Sequence, residues 1–488
     1  MRSTFSGLNT GYSALAANQR ALDITGHNVA NANTEGYTRQ DIVLQPARAI
    51  KSIEGYVGTG VEIVEFRRIR DQFLDIQMRT ENKALGEWDI KSNILGKLEV
   101  IFNEPSDTSL STVLDNFWDS WQLLVKNPEG ITGRTAVMQS GQNLANTLNE
   151  LDQQFFELQS DINNSLQAKV GEINTYAHQI WDVNQQIIKA ESGGQKANDL
   201  RDRRDLIVEK LAKIVNIDVV EEQFGAINVS IGGGFLVSPK TISEVKFIDH
   251  YADPSLAQIV WYDSLADEQR GNLNINGGEM KGYTDSRDDV ITIYREKIAE
   301  LAKVVAEEVN KQHQAGYGLE GSTGIDFFTM RDAGPDFSAS NIRVNQEIID
   351  NLNLLAAAGE LNLDTSVDPP VLADPPVFAG DGANALLIAG IKNKMTMSGG
   401  VASFEDFYSS MVGQLGIQGQ EANFMLENRT VLMEQLNNRR DAVSGVSLDE
   451  EMTNMIRFQH SYSAAARIIN AMDEMLDLII NRLGLVGR

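Results

Sequence analysis

The sequence predicts a mainly α protein with inserted β-structure: terminal helices paired as a coiled coil, a long-helix bundle as the body, and a small inserted β-domain. Three observations predict it. Both ends repeat apolar residues every seven positions, residues 134–191 contain no proline, and residues 214–262 break into short β-branched runs.

The N-terminal repeat is Leu8, Leu15, Leu22 and Val29, with Phe5 and Tyr12 three residues before the first two. The C-terminal repeat is Leu448, Met455, Tyr462, Ile469, Leu476 and Leu483. A sustained seven-residue period marks a helix that buries one stripe against another helix. Ser447-Leu448-Asp449-Glu450 predicts the start of the second helix as a capping box, with Glu450 reaching back to Ser447, and Gly484 is its expected stop. Chain ends usually fray. Seams this regular at both extremities predict that Leu8, Tyr12, Leu15, Leu22 and Val29 pair with Met455, Tyr462, Ile469, Leu476 and Leu483, and with neighbouring copies.

Between the ends, helical spacing predicts helices over 72–103 and 109–126. The stripe Leu144, Leu148, Leu151, Phe155, Leu158, Ile162 and onward to Ile187 predicts a rod far longer than the usual helix. After Lys213, IVNIDVVEE, GAINVSIGGGFLV, ISEVKFI and LAQIVWY read as strands, with Gly232-Gly233-Gly234 as a hairpin turn. Helical spacing resumes at Val290. Pro335, Pro369, Pro370, Pro375 and Pro376 fall in 320–382, where DPPVLADPP predicts an extended surface loop. Helices return from Ala383 and again over 402–440. The expected division is 1–65 with 441–488 as a terminal coiled-coil domain and 66–212 with 285–320 and 383–440 as a helical rod domain. An inserted β-domain over 213–284 and a proline-rich insertion over 321–382 complete it.

Charge and chemistry narrow the function. The 488 residues carry 42 basic and 68 acidic side chains, a net charge of −26. Residues 1–30 hold only Arg2, Arg20 and Asp23, and residues 452–488 also sum to +1, so the middle of the chain carries −28. Near-neutral ends pack side by side more easily than a strongly charged body. The acidic excess argues against nucleic acid, which needs clustered Lys and Arg. No apolar run approaches the ~20 residues that span a bilayer, so no membrane insertion is expected. The first twenty residues lack the apolar core of a secretory signal, which predicts a cytosolic chain or one exported without a cleaved signal. Cysteine is absent, which removes disulfides and thiolate chemistry. No two of the five histidines are close in sequence, and Gly58-Thr59-Gly60 lacks the third glycine of a dinucleotide fingerprint. Arg201, Arg203 and Arg204 alternate with Asp199, Asp202 and Asp205, which predicts a salt-bridged helix surface and not a phosphate site. No catalytic residue, cofactor or metal is predicted, and the chain does not read as an enzyme.

One segment is not generic. His27-Asn28-Val29-Ala30-Asn31-Ala32-Asn33-Thr34-Glu35-Gly36-Tyr37-Thr38-Arg39-Gln40 places three asparagines at an expected helix end, then a glycine suited to positive φ, then a stacking ring and a guanidinium fork. Asn28, Asn31, Asn33, Gly36, Tyr37 and Arg39 resemble the signature shared by flagellar rod, hook and hook-associated proteins, in which a terminal helix runs into an Asn-rich segment. The GYTRQ ending is closer to hook–filament junction members than to the hook protein. Residues 199–237 and 444–484 resemble the junction members as well, in the family's order.

This resemblance implies a structural subunit without catalysis. Its terminal helices line a hollow axial structure while the middle domains project outward. Implied partners are further copies in a homo-oligomeric ring, the hook protein, the next junction protein on the filament side, and a flagellar export chaperone at the C-terminal helix. The implied location is the extracellular flagellum, reached through the flagellar type III apparatus. Hook or distal rod protein is the alternative within the family, and a non-flagellar coiled-coil scaffold the alternative outside it.

Overall fold

A computed structural model of the chain describes residues 6–52, 55–250, 253–254, 257–263, 268–332, 334, 336–364, 366, 370–378 and 380–479. Helix α1 (Ser6–Ala30) leads into two antiparallel pairs, β1 (Gln40–Pro46) with β4 (Val61–Arg68), and β2 (Ile50–Ser52) with β3 (Gly55–Val57). The body follows: α2 (Gln72–Phe102), α3 (Leu110–Lys126), α4 (Ile131–Glu191) and α5 (Asn198–Ile214). Asp71 caps α2 by accepting from the main-chain N–H groups of Phe73 and Leu74, and Ser109 caps α3.

Helix α4 is the axis of the fold. Leu144, Leu148, Phe155, Ile162, Leu166, Ile173, Ile180 and Ile187 are all buried, the three-and-four spacing keeping them on one face. Against this face pack α3, α5 and α7 (Thr292–Ala315), the last reached through α6 (Glu279–Asp285) and a turn of π-helix. Phe117, Trp121, Phe327, Phe328 and His313 form an interlocked aromatic cluster, with tilted and edge-on rings.

Two antiparallel three-stranded sheets lie in the 213–284 segment. The first is β5 (Asp218–Glu221), β6 (Ile227–Ile231) and β7 (Gly234–Val237), with Gly232-Gly233 as the hairpin turn. The second is β8 (Glu244–Ile248), β9 (Gln258–Asp263) and β10 (Glu268–Asn272). The 321–382 segment holds the pair β11 (Phe328–Met330) and β12 (Ile342–Val344), a short α8 (Gln346–Asp350), and the pair β13 (Leu361–Asp364) and β14 (Val371–Val377). Residues expected as a surface loop thus include a strand. It is an edge strand in a two-stranded sheet, where Pro375 and Pro376 interrupt no central ladder.

Helices α9 (Ala383–Gly390), α10 (Phe404–Ser444) and α11 (Leu448–Asp477) close the chain. Helix α10 runs along α2, and Leu74, Met78 and Leu436 make a small second core between them. Among the described residues, no helix is long and apolar enough to cross a membrane.

Candidate assembly site

Helices α1 and α11 pack antiparallel. Gly7 meets Met472, Gly11 meets Ile469, and Asn28 bonds to Glu451 at the other end. The buried stripe of α1 is small or polar, Gly11, Ala17, Ala21, Thr25 and Asn28, and glycine stands where Met472 and Ile469 meet the helix. A glycine inside a helix costs about 1 kcal/mol relative to alanine, and here close approach explains it. A Cβ at Gly7 would lie 2.6 Å from Cε of Met472, and one at Gly11 2.9 Å from Cγ1 of Ile469. Leu8, Leu15, Leu22 and Val29 flank this row half-buried, and Tyr12 is 67% exposed. On α11, Met455, Tyr462, Ile469 and Leu476 are half-buried, while Leu483 and Gly484 lie outside the described residues. Met452, Ile456, Ile468 and Met475 of α11 remain exposed.

The signature segment ties this pair to the body. Asn28 is buried and uses all its hydrogen-bonding capacity. Its Nδ2 donates to the Gln40 carbonyl (2.9 Å) and to Oε2 of Glu451 (3.0 Å). Its Oδ1 accepts from the Tyr37 hydroxyl (2.7 Å) and the Gln40 N–H (3.0 Å). Arg39 donates from Nε to Oε1 of Glu451 (2.9 Å) and from Nη1 to Oε2 of Glu450 (2.8 Å), and its main-chain N–H reaches the Ser444 carbonyl (2.9 Å). Burial works against the Arg39 charge, but Glu451 and Glu450 overcome it and raise its pKa. Burial, reinforced by Asp199, Asp202 and Glu451, raises that of the Tyr37 hydroxyl.

Ser447 caps α11 by accepting from the Glu450 N–H, as the sequence predicts. The reciprocal half of that box is replaced, because the Glu450 carboxylate is taken by Arg39. Asn31 closes the end of α1: its Nδ2 donates to the His27 carbonyl (3.0 Å) and its Oδ1 accepts from Thr34 (3.2 Å). Asn33 is exposed on the turn. Gly36 sits at φ +78°, with Leu206 of α5 only 3.1 Å from the place of a Cβ.

Helix α5 provides the other wall of this joint. Asp202 accepts from the Thr38 N–H (2.9 Å), and Asp199 from Nε2 of Gln40 (2.7 Å). The alternating Arg/Asp run is salt-bridged as expected, but it is only partly surface: Asp199 and Arg203 are exposed. Arg201, Asp202 and Arg204 are all buried. Asp202 and Asp205 hold Arg68 at 2.7 and 2.8 Å, Arg70 reaches Asp75 at 2.6 Å and Asp205 at 2.8 Å, and Arg201 binds Glu191 at 2.6 Å. Burial opposes the Asp205 carboxylate, yet Arg70, Arg204 and Arg68 hold its pKa below the ordinary value. For Asp202 burial wins over Arg68 and raises it. Partners distant in sequence turn a polar helix face into an interior joint, and buried charges persist there because each is paired.

Among the described residues, no three His, Asp or Glu side chains are grouped to hold a metal ion.

Comparison with known proteins accounts for the geometry. The "Flagella basal body rod protein" family matches residues 8–38, and "Flagellar basal body rod FlgEFG protein C-terminal" matches 441–483, the two helices of the pair. "Flagellar hook-associated protein FlgK helical domain" matches residues 95–328. Flagellar hook-associated protein 1 of Bacillus subtilis is 34% identical over the whole of both chains. The chain belongs to the flagellar hook-associated protein 1 family. The Escherichia coli member is 26% identical, covering 97% of this chain and 99% of its own. A solved flagellar hook junction protein from Burkholderia pseudomallei shares the fold, with a TM-score of 0.62 at 18% identity over 75% of this chain and all of the other. The hook-associated protein 1 family is a structural family of the bacterial flagellum.

Proposed function

We propose that this chain is the subunit of a ring joining hook to filament, assembled through its terminal helix pair. The observation that carries the reading is the apolar surface the pair leaves uncovered. Tyr12 of α1 and Met452, Ile456, Ile468 and Met475 of α11 are each about half exposed or more, on the near-neutral ends of a chain of net charge −26. Clustered exposed apolar side chains mark contact surfaces, and charge-poor ends let copies approach. The neighbours are further copies laterally, the hook protein on one side and the next junction protein on the other. Tyr462 and Leu476 hold the pair together inside each copy, while the exposed row meets the next copy. The chain reaches the flagellum through the flagellar export apparatus, with a chaperone covering the C-terminal helix beforehand.

The test uses Met452→Asp with Ile456→Asp in the full chain. Both side chains are exposed, so the monomer keeps its circular dichroism and melting temperature. Cells with only this variant are expected to build hooks without attached filaments, because a charge cannot be buried unpaired between copies. Normal filament attachment would overturn the reading.

A further inference from the structure

Helix α10 has two faces. Tyr408, Met411, Leu415 and Ala422 are buried against the body. Two residues beyond Leu415 and Ala422, about 200° around the helix, stand Ile417 and Phe424, and Val431 follows at the same interval of seven. These three are 68%, 62% and 48% exposed. Single apolar side chains on a surface are ordinary. A heptad row of three, opposite the buried stripe, has the form of a coiled-coil seam without its partner. Gly413 lies on the same row, four residues before Ile417, with Gly416 beside it, and both are exposed. Glycine inside a helix weakens it. At Gly7 and Gly11 the close approach of α11 explains the choice, whereas at Gly413 and Gly416 a Cβ would meet nothing within 4 Å. No described residue requires a glycine there, but a helix laid along the row would come closest to the backbone at these positions.

The flanks of the row carry one sign. Glu421, Glu427 and Glu434 are exposed, and none has a hydrogen bond or ion pair among the described residues. The cations of this stretch are engaged elsewhere or stand apart. Arg429 holds Glu81 of α2 at 2.9 Å, and Lys297 of α7 donates to Gln414 (2.7 Å). Lys97 of α2 pairs with none of the three glutamates, and Arg439 lies about two turns past Val431. Charges beside a seam choose its partner, because opposite charges attract and like charges exclude. Laying α10 of a second copy on this row would set glutamate against glutamate.

We propose that the outer face of α10 is a docking seam for an amphipathic helix of another protein, one whose apolar row is flanked by lysine or arginine. From Gly413 to Val431 the seam runs about 27 Å, or about five turns of a partner helix. Ile417, Phe424 and Val431 fill the partner's holes, and Glu421, Glu427 and Glu434 meet its cations. Gln420, Asn428 and Gln435 interleave with the apolar row, which suits a reversible contact rather than a permanent one. The inference is independent of the ring contact, since none of its residues belongs to the terminal pair.

The probes are two synthetic helices of about five turns with the same leucine seam, one flanked by lysine and the other by glutamate. Each is titrated against the full chain by fluorescence anisotropy at roughly 0.15 M salt. The lysine helix is expected to saturate a single site per chain, and the glutamate helix to bind about tenfold more weakly or worse. The double variant Ile417→Gln with Phe424→Gln changes two exposed side chains, so its melting temperature stays unchanged. Its affinity for the lysine helix is expected to fall about tenfold or more. Glu427→Gln with Glu434→Gln should narrow the preference between the two probes. Equal binding of the probes, undiminished binding of the lysine helix to the Ile417/Phe424 variant, or an unaltered preference in the glutamate variant would overturn the proposal. So would self-association of the chain that the Ile417/Phe424 variant abolishes, because the occupant would then be a second copy.

Discussion

The body and the terminal pair are both helical, yet they are held together in opposite ways. Around α4 large side chains are fully buried and interlock, as Phe155 does with Phe102 at a ring separation of 5.6 Å. On α1 the buried stripe is small or polar, with glycine where Met472 and Ile469 approach, and the large apolar side chains of the pair stand half-covered. Fully removing a Leu, Ile or Phe side chain from water yields about 1.5–3 kcal/mol, a gain the body takes in full and the pair only in part. The body hides its large apolar side chains; the pair leaves several of them open to water.

The widest expected contrast comes from truncation. Phe155→Ala should cost about 3–5 kcal/mol of stability in urea unfolding, whereas Ile456→Ala, exposed in the monomer, should change it by less than about 0.5 kcal/mol. Four of the five tryptophans lie in the helical body, the fifth, Trp261, in β9 of the inserted sheet, and none in the terminal pair, so their fluorescence follows unfolding outside the pair. Equal losses in the two variants would erase the contrast.

Acid should separate the regions next. His313 is buried in the aromatic cluster; its Nδ1 donates to the Ile325 carbonyl (2.7 Å) and its Nε2 accepts the Ala356 N–H (3.0 Å), which requires the neutral ring. Burial pushes its pKa down to about 4, against about 6.5 in the unfolded chain. The unfolded state therefore binds the extra proton first as pH falls. The contribution of His313 is complete above pH ~6.5 and is lost progressively towards pH ~4, amounting to about 3 kcal/mol. His313→Gln should flatten the dependence of the urea midpoint on pH in that window, and an unchanged slope would count against it.

The smallest expected effect sharpens the account of the pair. Gly11→Leu should overfill the contact row at a cost of about 1–3 kcal/mol. Amide exchange should quicken over residues 6–30 and 448–477 while the tryptophan transition stays in place. Protection equal to the unaltered chain would mean that the close approach at Gly11 does not hold the helices together.

What was legible in the sequence follows the same division. The stripe from Leu144 to Ile187 announces α4, because large residues at three-and-four spacing are the strongest helical signal. The close approach at Gly7 and Gly11 was not legible, because a heptad of leucines is a stronger helical signal than the small residues beside it. The available signal was Gly7 and Gly11, four apart inside a helix that could have carried alanine. Strands β1 and β4 mix charged and apolar residues on exposed faces, and β10, Glu-Gln-Arg-Gly-Asn, has no β-branched residue, so neither shows the expected run. The charged joint failed for another reason. Arg68, Arg70 and Glu191 decide whether Asp202, Asp205 and Arg201 are buried, and only the folded chain brings them together.

Helix α4 carries one more implication. Its 61 residues extend about 90 Å at 1.5 Å per residue, with the joint near one end and the β13–β14 hairpin beyond the other. A tilt of roughly 5° at the joint therefore swings that far tip by about 8 Å, given the helical rise. A long rigid rod thus multiplies any angular change at its base into displacement at its far tip.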